Sequence, residues 1–294
     1  MQIGLFLSPP TVDELVTQVG AAADRGFRSV WVPQIFGIDA LTALAVVARE
    51  VPEVAMGTAV VPTYPRHPMM LAAQARTVQQ VAGGRFTLGI GLSHQVVIES
   101  MMGMSFDKPV RHLREYLDVL LPLVRGEATS AAGETLTFHG GLEIPADPVP
   151  VLVAALGTQM LNVAGRRAEG TVTWMTGPAT IGDHVVPTLT AAASAAGRPA
   201  PRVVAALPVA VTDDVEGART QAAAAFEIYG QLPSYRAMLD REGAAGPADV
   251  ALVGDEQKVL AGIQSMFAAG ATEFVAVPFT SLDRTYELLG PLLD

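Results

Sequence analysis

The chain has 294 residues, half of them hydrophobic and only 16% charged, so a large core is available and intrinsic disorder is not expected. Its net charge of −10 and pI near 5.0 argue against nucleic acid as a partner, because phosphate binding needs clustered positive charge. Cysteine is absent, which excludes disulfides, thiolate metal sites and a cysteine nucleophile.

Gln2 to Leu7 reads as a first strand with no basic segment ahead of an apolar run, so no signal peptide is expected. After Ser8-Pro9-Pro10, Thr11 and Glu14 form the T-x-x-E pattern of a helix start, and the helix runs through Leu15, Val19 and Ala22 until Gly26. Arg28 to Val32 is the second strand and leaves through Pro33-Gln34. The second helix begins at about Asp39 and continues through Leu41, Leu44 and Val47. Val54 to Val61 and Arg85 to Gly91 are apolar third and fourth strands, and between them Leu71, Ala75, Val78 and Ala82 share one helical face, which makes a βαβ unit.

A methionine-rich piece (Met101, Met102, Met104) leads into a helix over Val110 to Val124. Gly133 to Pro150 is rich in glycine and proline, and Thr135 to Phe138 alternates as a hairpin strand does, so residues 101–148 read as an excursion. Val149 to Ala155, Thr171 to Met175, Val203 to Val211 and Glu273 to Val277 complete eight strands. Helices through Leu161 and Ala164 and over Ile181 to Ala196 separate them. A second excursion, residues 213–269, carries helices near Val215 to Ile228, Pro233 to Arg241 and Glu256 to Ala268, and the last helix is Arg284 to Leu293. No apolar run reaches the roughly 18 residues of a membrane span, so a cytoplasmic protein without a membrane partner is expected.

Strands alternating with helices, without a change of composition or a repeat, favour an α/β fold of the (β/α)8 TIM barrel type as a single domain over residues 1–294. An open doubly wound sheet is the alternative, weakened because no G-x-G-x-x-G follows the first strand. In a barrel the reactive groups stand at the carboxyl ends of the strands. Here those ends are poor in acids, bases and nucleophiles: there is no carboxylate pair, no H-x-H or H-E-x-x-H to hold a metal, no G-x-S-x-G and no lysine at a strand end. A large barrel with so few reactive side chains fits a bound redox cofactor that carries the chemistry.

Five stretches, Gly57 to Ala75, Gly83 to Gln95, Arg114 to Glu127, Val153 to Gly165 and Val253 to Val277, resemble in sequence and order the luciferase-like superfamily, specifically its oxidoreductases dependent on coenzyme F420, a deazaflavin. The resemblance implies a barrel with the cofactor at its carboxyl-terminal mouth and hydride transfer between F420 and a small, largely apolar organic substrate. It also implies a homodimer. An FMN-dependent monooxygenase of the same superfamily and a non-catalytic cofactor-binding barrel are the alternatives.

The same resemblance implies a non-proline cis peptide in the third strand, at or next to Thr58-Ala59, so Thr58, Ala59 and Val60 are cofactor candidates together with Ser93. It gives the phosphate-bearing tail to Ala155-Leu156-Gly157-Thr158 and to Thr176-Gly177-Pro178. His94 is the one titratable group on a strand exit within the core motif and is the catalytic candidate, with a structural loop role as the alternative. Gln34 is read either as a hydrogen-bonding partner of ring or substrate or as a solvated loop amide. Asp39 either reaches the cofactor or caps the second helix. Several members of the family carry a histidine just after the second strand, where this chain has Ile35. Met101 to Met104, Phe36, Trp174 and Met175 are expected to wall an apolar pocket, or else to be core under long loops.

Overall fold

The computed structural model describes residues 1–293. The first half of the chain forms β1 (Ile3–Phe6), α1 (Val12–Asp24), β2 (Ser29–Val32), α2 (Ala40–Glu50), β3 (Ala55–Thr58), β4 (Val61–Pro62), α3 (Pro68–Ala82), β5 (Phe86–Gly91), α4 (Pro109–Val124), β6 (Thr129–Ala132) and β7 (Thr137–Gly140). The second half forms β8 (Val151–Val153), α5 (Thr158–Arg167), β9 (Gly170–Trp174), α6 (Pro178–Thr180), α7 (Val186–Ala195), β10 (Arg202–Val211), α8 (Val215–Ala225) and α9 (Glu227–Gln231). It closes with α10 (Pro233–Glu242), α11 (Pro247–Val250), β11 (Leu252–Gly254), α12 (Glu256–Ala268), β12 (Glu273–Pro278) and α13 (Leu282–Leu289). No helix among the described residues is long and apolar enough to cross a membrane.

Parallel strands run in the order β1-β2-β3-β5-β8-β9-β10-β12, and β12 pairs back with β1, closing an eight-strand barrel ringed by helices. The expected third strand is split: β3 and β4 are separated by a cis peptide at Ala59-Val60, one bond beyond Thr58-Ala59. β11 escaped the sequence reading because three residues are too few to show a period. It pairs with the last three residues of β10, Val209 to Val211. The hairpin strand is Thr137–Gly140, later than the expected Thr135 to Phe138. The Glu115 carboxylate accepts from the amides of Glu134, Thr135 and Leu136 and so draws that stretch into a turn.

Between sheet and helices lies a continuous core built from the apolar faces of α1 to α5, α7 and α12. A separate, smaller cluster fills the inside of the barrel, with Trp31, Leu152, Val172, Val204, Ala206 and Val275. Trp31 dominates it. Its indole lies over Gly57, where an added Cβ would come within 2.4 Å of the ring. Its Nε1 donates to Glu273 Oε1 at 2.8 Å, Ser29 Oγ donates to the same oxygen at 2.7 Å, and Arg202 reaches Oε2 at 3.2 Å. Glu273 is therefore a buried carboxylate whose oxygens are all engaged, as burial of a charge requires. Gly89 answers a second close approach, because a Cβ there would meet the Thr58 carbonyl oxygen at 1.9 Å.

The packing over Gly57 gives a direct expectation. Gly57→Ala should destabilise the fold by about 1 to 3 kcal/mol through overpacking against Trp31. Gly20→Ala in α1, where an added Cβ meets nothing within 4 Å, should be neutral or stabilising by up to about 1 kcal/mol. Denaturant midpoints of the two variants check this, and equal midpoints would contradict it.

Candidate active site at the carboxyl-terminal mouth

Above Trp31 the barrel mouth has a floor of small apolar groups. Ala59, Val60 and Ala154 pack partly buried against the interior cluster, beside Phe6, Trp174 and Val277. A Cβ added to Gly91 would lie 2.7 Å from Val60 and 3.3 Å from the Cβ of Ala154, so these three positions meet. Thr58, a candidate from sequence, is fully buried and its hydroxyl both donates to Gly89 O and accepts from Gly89 N, at 2.8 and 2.9 Å. Its one hydroxyl proton is committed to the adjacent strand. Ala59 and Val60 face the mouth.

Gln34 and Asp39 are tied together by a residue the sequence reading passed over. Asp39 caps α2 through Thr42, accepting from its amide at 2.9 Å and its hydroxyl at 2.8 Å, and forms an ion pair with Arg66. Gln34 Oε1 accepts from Ala40 N at 2.8 Å and lies 3.4 Å from Arg66 Nη2. Burial alone would raise the Asp39 pKa, but the Thr42 donors and Arg66 outweigh it and hold the carboxyl below the usual range. Gln34 is thus no freely solvated amide. Arg66 keeps one buried nitrogen, Nη1, without a hydrogen-bond partner among the described residues.

His94 follows Ser93, a non-glycine residue at φ 61°, a conformation that costs strain and turns the chain sharply out of β5. Its carbonyl accepts from Val97 and Ile98, while its half-buried ring stands 5.6 Å from that of Tyr235. Burial lowers the His94 pKa from its ordinary value, so the ring is neutral at pH 7. From Tyr235 a run of aromatic contacts crosses the mouth: Tyr235 on Tyr229, Tyr229 on Trp174, and Trp174 on Phe6 and Phe226, with centroids 5.1 to 6.4 Å apart. On the opposite side Tyr64 stacks on His112 at 3.9 Å and on Phe106 at 5.2 Å. Burial, reinforced by Asp107 and Glu99, pushes the Tyr64 pKa up to about 12, so the phenol stays protonated and its buried oxygen lacks a partner among the described residues.

The residues expected either to wall an apolar pocket or to be core under loops are divided between surface and core. Met175 is fully buried in the outer core, and Phe36, Met101, Met102 and Met104 are 38 to 69% exposed. Trp174 packs against the interior cluster at the mouth. Phe226 between α8 and α9, Tyr229 in α9 and Tyr235 in α10 join it, some fifty to sixty residues after β9 in the chain. Tyr64 carried a legible signal, since it leaves the third strand within T-Y-P-R-H-P.

Two of the helices that begin at the mouth, α5 and α6, differ at their first turns. At α5 the N-cap is Gly157, not Thr158, which is instead the first helical residue. No side chain caps this end, and space beside Gly157 is open. Ala155 is bound back to Thr171, and the Leu156 carbonyl accepts from His184, so the amides of Thr158 and Gln159 are what this loop offers to an anion. At α6 Gly177 is likewise the N-cap, but Glu242 accepts from the amides of Ala179 at 3.1 Å and Thr180 at 2.7 Å. Thr176 is buried with its hydroxyl donated to Trp174 O. The stretch Thr176-Gly177-Pro178, expected to take a phosphate, is filled by the chain's own carboxylate.

A closed parallel barrel with such a mouth defines the (β/α)8 class. Residues 1–276 match the luciferase-like monooxygenase family, and the chain belongs to that family. It is similar to the 5,10-methylenetetrahydromethanopterin reductase of Methanolobus tindarius, 26% identical over 97% of this chain and 89% of that protein. It is also 30% identical to the F420-dependent glucose-6-phosphate dehydrogenase of Kineococcus radiotolerans, over 51% of this chain and 48% of that one. The chain spans about half the length of several of the curated relatives it matches. Among solved structures, the coenzyme F420 dependent tetrahydromethanopterin reductase of Methanopyrus kandleri superposes with a TM-score of 0.84 at 20% identity, covering 100% of this chain and 99% of that one.

Burial depresses both His94 and His112, so proton NMR should give imidazole pKa values below the ordinary 6.5 for each. Because the unfolded chain then binds more protons, their contribution to stability is present above about pH 6.5 and is lost as pH falls through the folded-state values. Values at or above 6.5 would contradict the burial of these rings.

Proposed function

We propose that the protein is an F420-dependent oxidoreductase that transfers a hydride between the deazaflavin and a small, largely apolar organic substrate. The observation that carries the reading is the pairing, at one barrel mouth, of an apolar floor at Ala59, Val60 and Ala154 with the uncapped N-terminus of α5. A flat ring needs the first, and a phosphate-bearing side chain needs the second. The names of relatives such as the Kineococcus dehydrogenase support F420 as the ring. When bound, F420 supplies hydride chemistry at its ring.

The chain's own residues bind, orient and exclude water. Ala59 and Val60 support the ring, Ser93 turns the backbone beside it, and the Thr158 and Gln159 amides hold the phosphate. Gln34 and Asp39 act through Arg66, which they fix in place, so they position more than they touch. His94, neutral at pH 7, is the group able to hold or deliver a proton at the substrate. Trp174, Tyr229 and Tyr235 form the wall that makes the site dry and selects apolar substrates. Residues 1–294 are read as one cytoplasmic catalytic domain. The exposed Val46 and Met70 on the neighbouring helices α2 and α3 favour a homodimer through that face.

Fluorescence titration of the purified protein with F420 and, separately, with FMN tests the cofactor. Saturable binding of F420 in preference to FMN is expected, whereas preference for FMN would turn the reading to a flavin monooxygenase. With a substrate in hand, His94→Ala should lower turnover by about 10²-fold with little change in F420 affinity, the scale on which a positioned general base or acid contributes. Unchanged turnover would reduce His94 to a loop residue. Light scattering at micromolar concentration should give twice the chain mass; a monomer mass would overturn the dimer.

A further inference from the structure

An imidazole that takes or gives a proton must be held in one orientation, and the usual holder is a hydrogen bond at its second nitrogen. His94 has none. Among the described residues its ring nitrogens make no hydrogen bond and no charge stands close enough to move its pKa, which burial alone lowers. What the ring does meet is Tyr235, with centroids 5.6 Å apart and planes at 53°. No hydrogen bond joins the Tyr235 hydroxyl to His94, so the contact is ring to ring. Tyr235 is in turn met edge-on by Tyr229, at 5.1 Å and 83°, a favoured aromatic geometry. Burial, with Tyr229 beside it, pushes the Tyr235 pKa up, so the phenol is neutral wherever His94 titrates. The charged groups on the two segments are turned to other partners: Glu99 to Gln95 and Phe106, and Arg236 to Asp240, Ala244 and Ala245.

Tyr235 reaches this place because α10 is pinned at its other end. Glu242, about two turns further along the same helix face, accepts from Ala179 N at 3.1 Å and Thr180 N at 2.7 Å. Between them on that face, Met238 O accepts from Thr180 Oγ1 at 3.2 Å. Fastened to α6 in this way, α10 delivers Tyr235 to the exit of β5. We propose that Tyr235 is a positioning residue for His94, fixing the orientation and dryness of the imidazole through its ring and not its hydroxyl, and that Glu242 holds Tyr235 in place for this. The inference rests on the reading of His94 as the proton-handling group and adds the parts that orient it.

Proton NMR titration of the imidazoles, with His94→Ala to identify the His94 signals, tests this without a substrate. In Tyr235→Ala the His94 pKa should rise toward the ordinary 6.5 as the ring gains water, while that of His112, on the opposite side of the mouth, stays where it is. Tyr235→Phe keeps the ring and should leave both unchanged. Glu242→Gln, at the other end of α10, should move His94 in the same direction as Tyr235→Ala and by less. Melting curves check that each variant is folded. A His94 pKa that is unchanged in Tyr235→Ala, or that falls because the phenol face had been attracting the imidazolium, would overturn the assignment. So would a shift in Tyr235→Phe as large as that in Tyr235→Ala, or a joint movement of His94 and His112, the mark of a merely structural effect. An unmoved His94 in Glu242→Gln would remove Glu242 from the arrangement. Once a substrate is found, the acid limb of kcat/KM in Tyr235→Ala should move up with the imidazole, because that limb reports the free enzyme's base. A limb that stays put while the imidazole moves would overturn His94 as the proton-handling group and leave its contact with Tyr235 standing.

Discussion

The contact of Trp31 with Gly57 inside the barrel governs what the rest of the molecule can do. An indole laid across the interior fills the space where neighbouring strands would otherwise leave a void, and it fits only because position 57 has no side chain. Its Nε1 must find an acceptor in this dry setting, and Glu273 supplies one while Ser29 and Arg202 satisfy the carboxylate's remaining capacity. Removing one partner from such a buried set is costly, because a charge or donor is left stranded. The consequence is a sealed lower barrel. Anything that binds along the barrel axis stops at the level of Ala59, Val60 and Ala154.

Above that seal, the mouth is shaped by segments that belong to no strand. The helices α9 and α10 lean over it through Tyr229 and Tyr235, and Glu242 at the end of α10 anchors them by accepting from the first amides of α6. Charge-assisted bonds of this kind are among the stronger ones a protein makes. At α5, by contrast, no side chain caps the first amides.

The barrel was legible because its parts obey local rules: eight apolar strand signals, helices with one apolar face, and glycines at the turns. The expected position of the site follows from the barrel, because a barrel of this kind keeps its chemistry at the carboxyl ends of its strands. What sequence could not show were contacts between segments far apart in the chain. Nothing near Gly177 hints that Glu242 fills its anion position, and nothing near Trp174 announces Tyr229. Arg66 was hidden in the same way, for its meaning comes from Gln34 and Asp39 some thirty residues earlier. Thr58 turns its hydroxyl to the adjacent strand, a contact its own neighbours in sequence do not reveal.

The α5 and α6 helix ends offer an anion different surroundings, and a crystal structure of the protein with F420 tells them apart most directly. The account predicts the ring against Ala59, Val60 and Ala154, with the phosphate accepting hydrogen bonds from the amides of Thr158 and Gln159 while Glu242 stays on Ala179 and Thr180. A phosphate seated on Ala179 and Thr180, with Glu242 displaced, would contradict it.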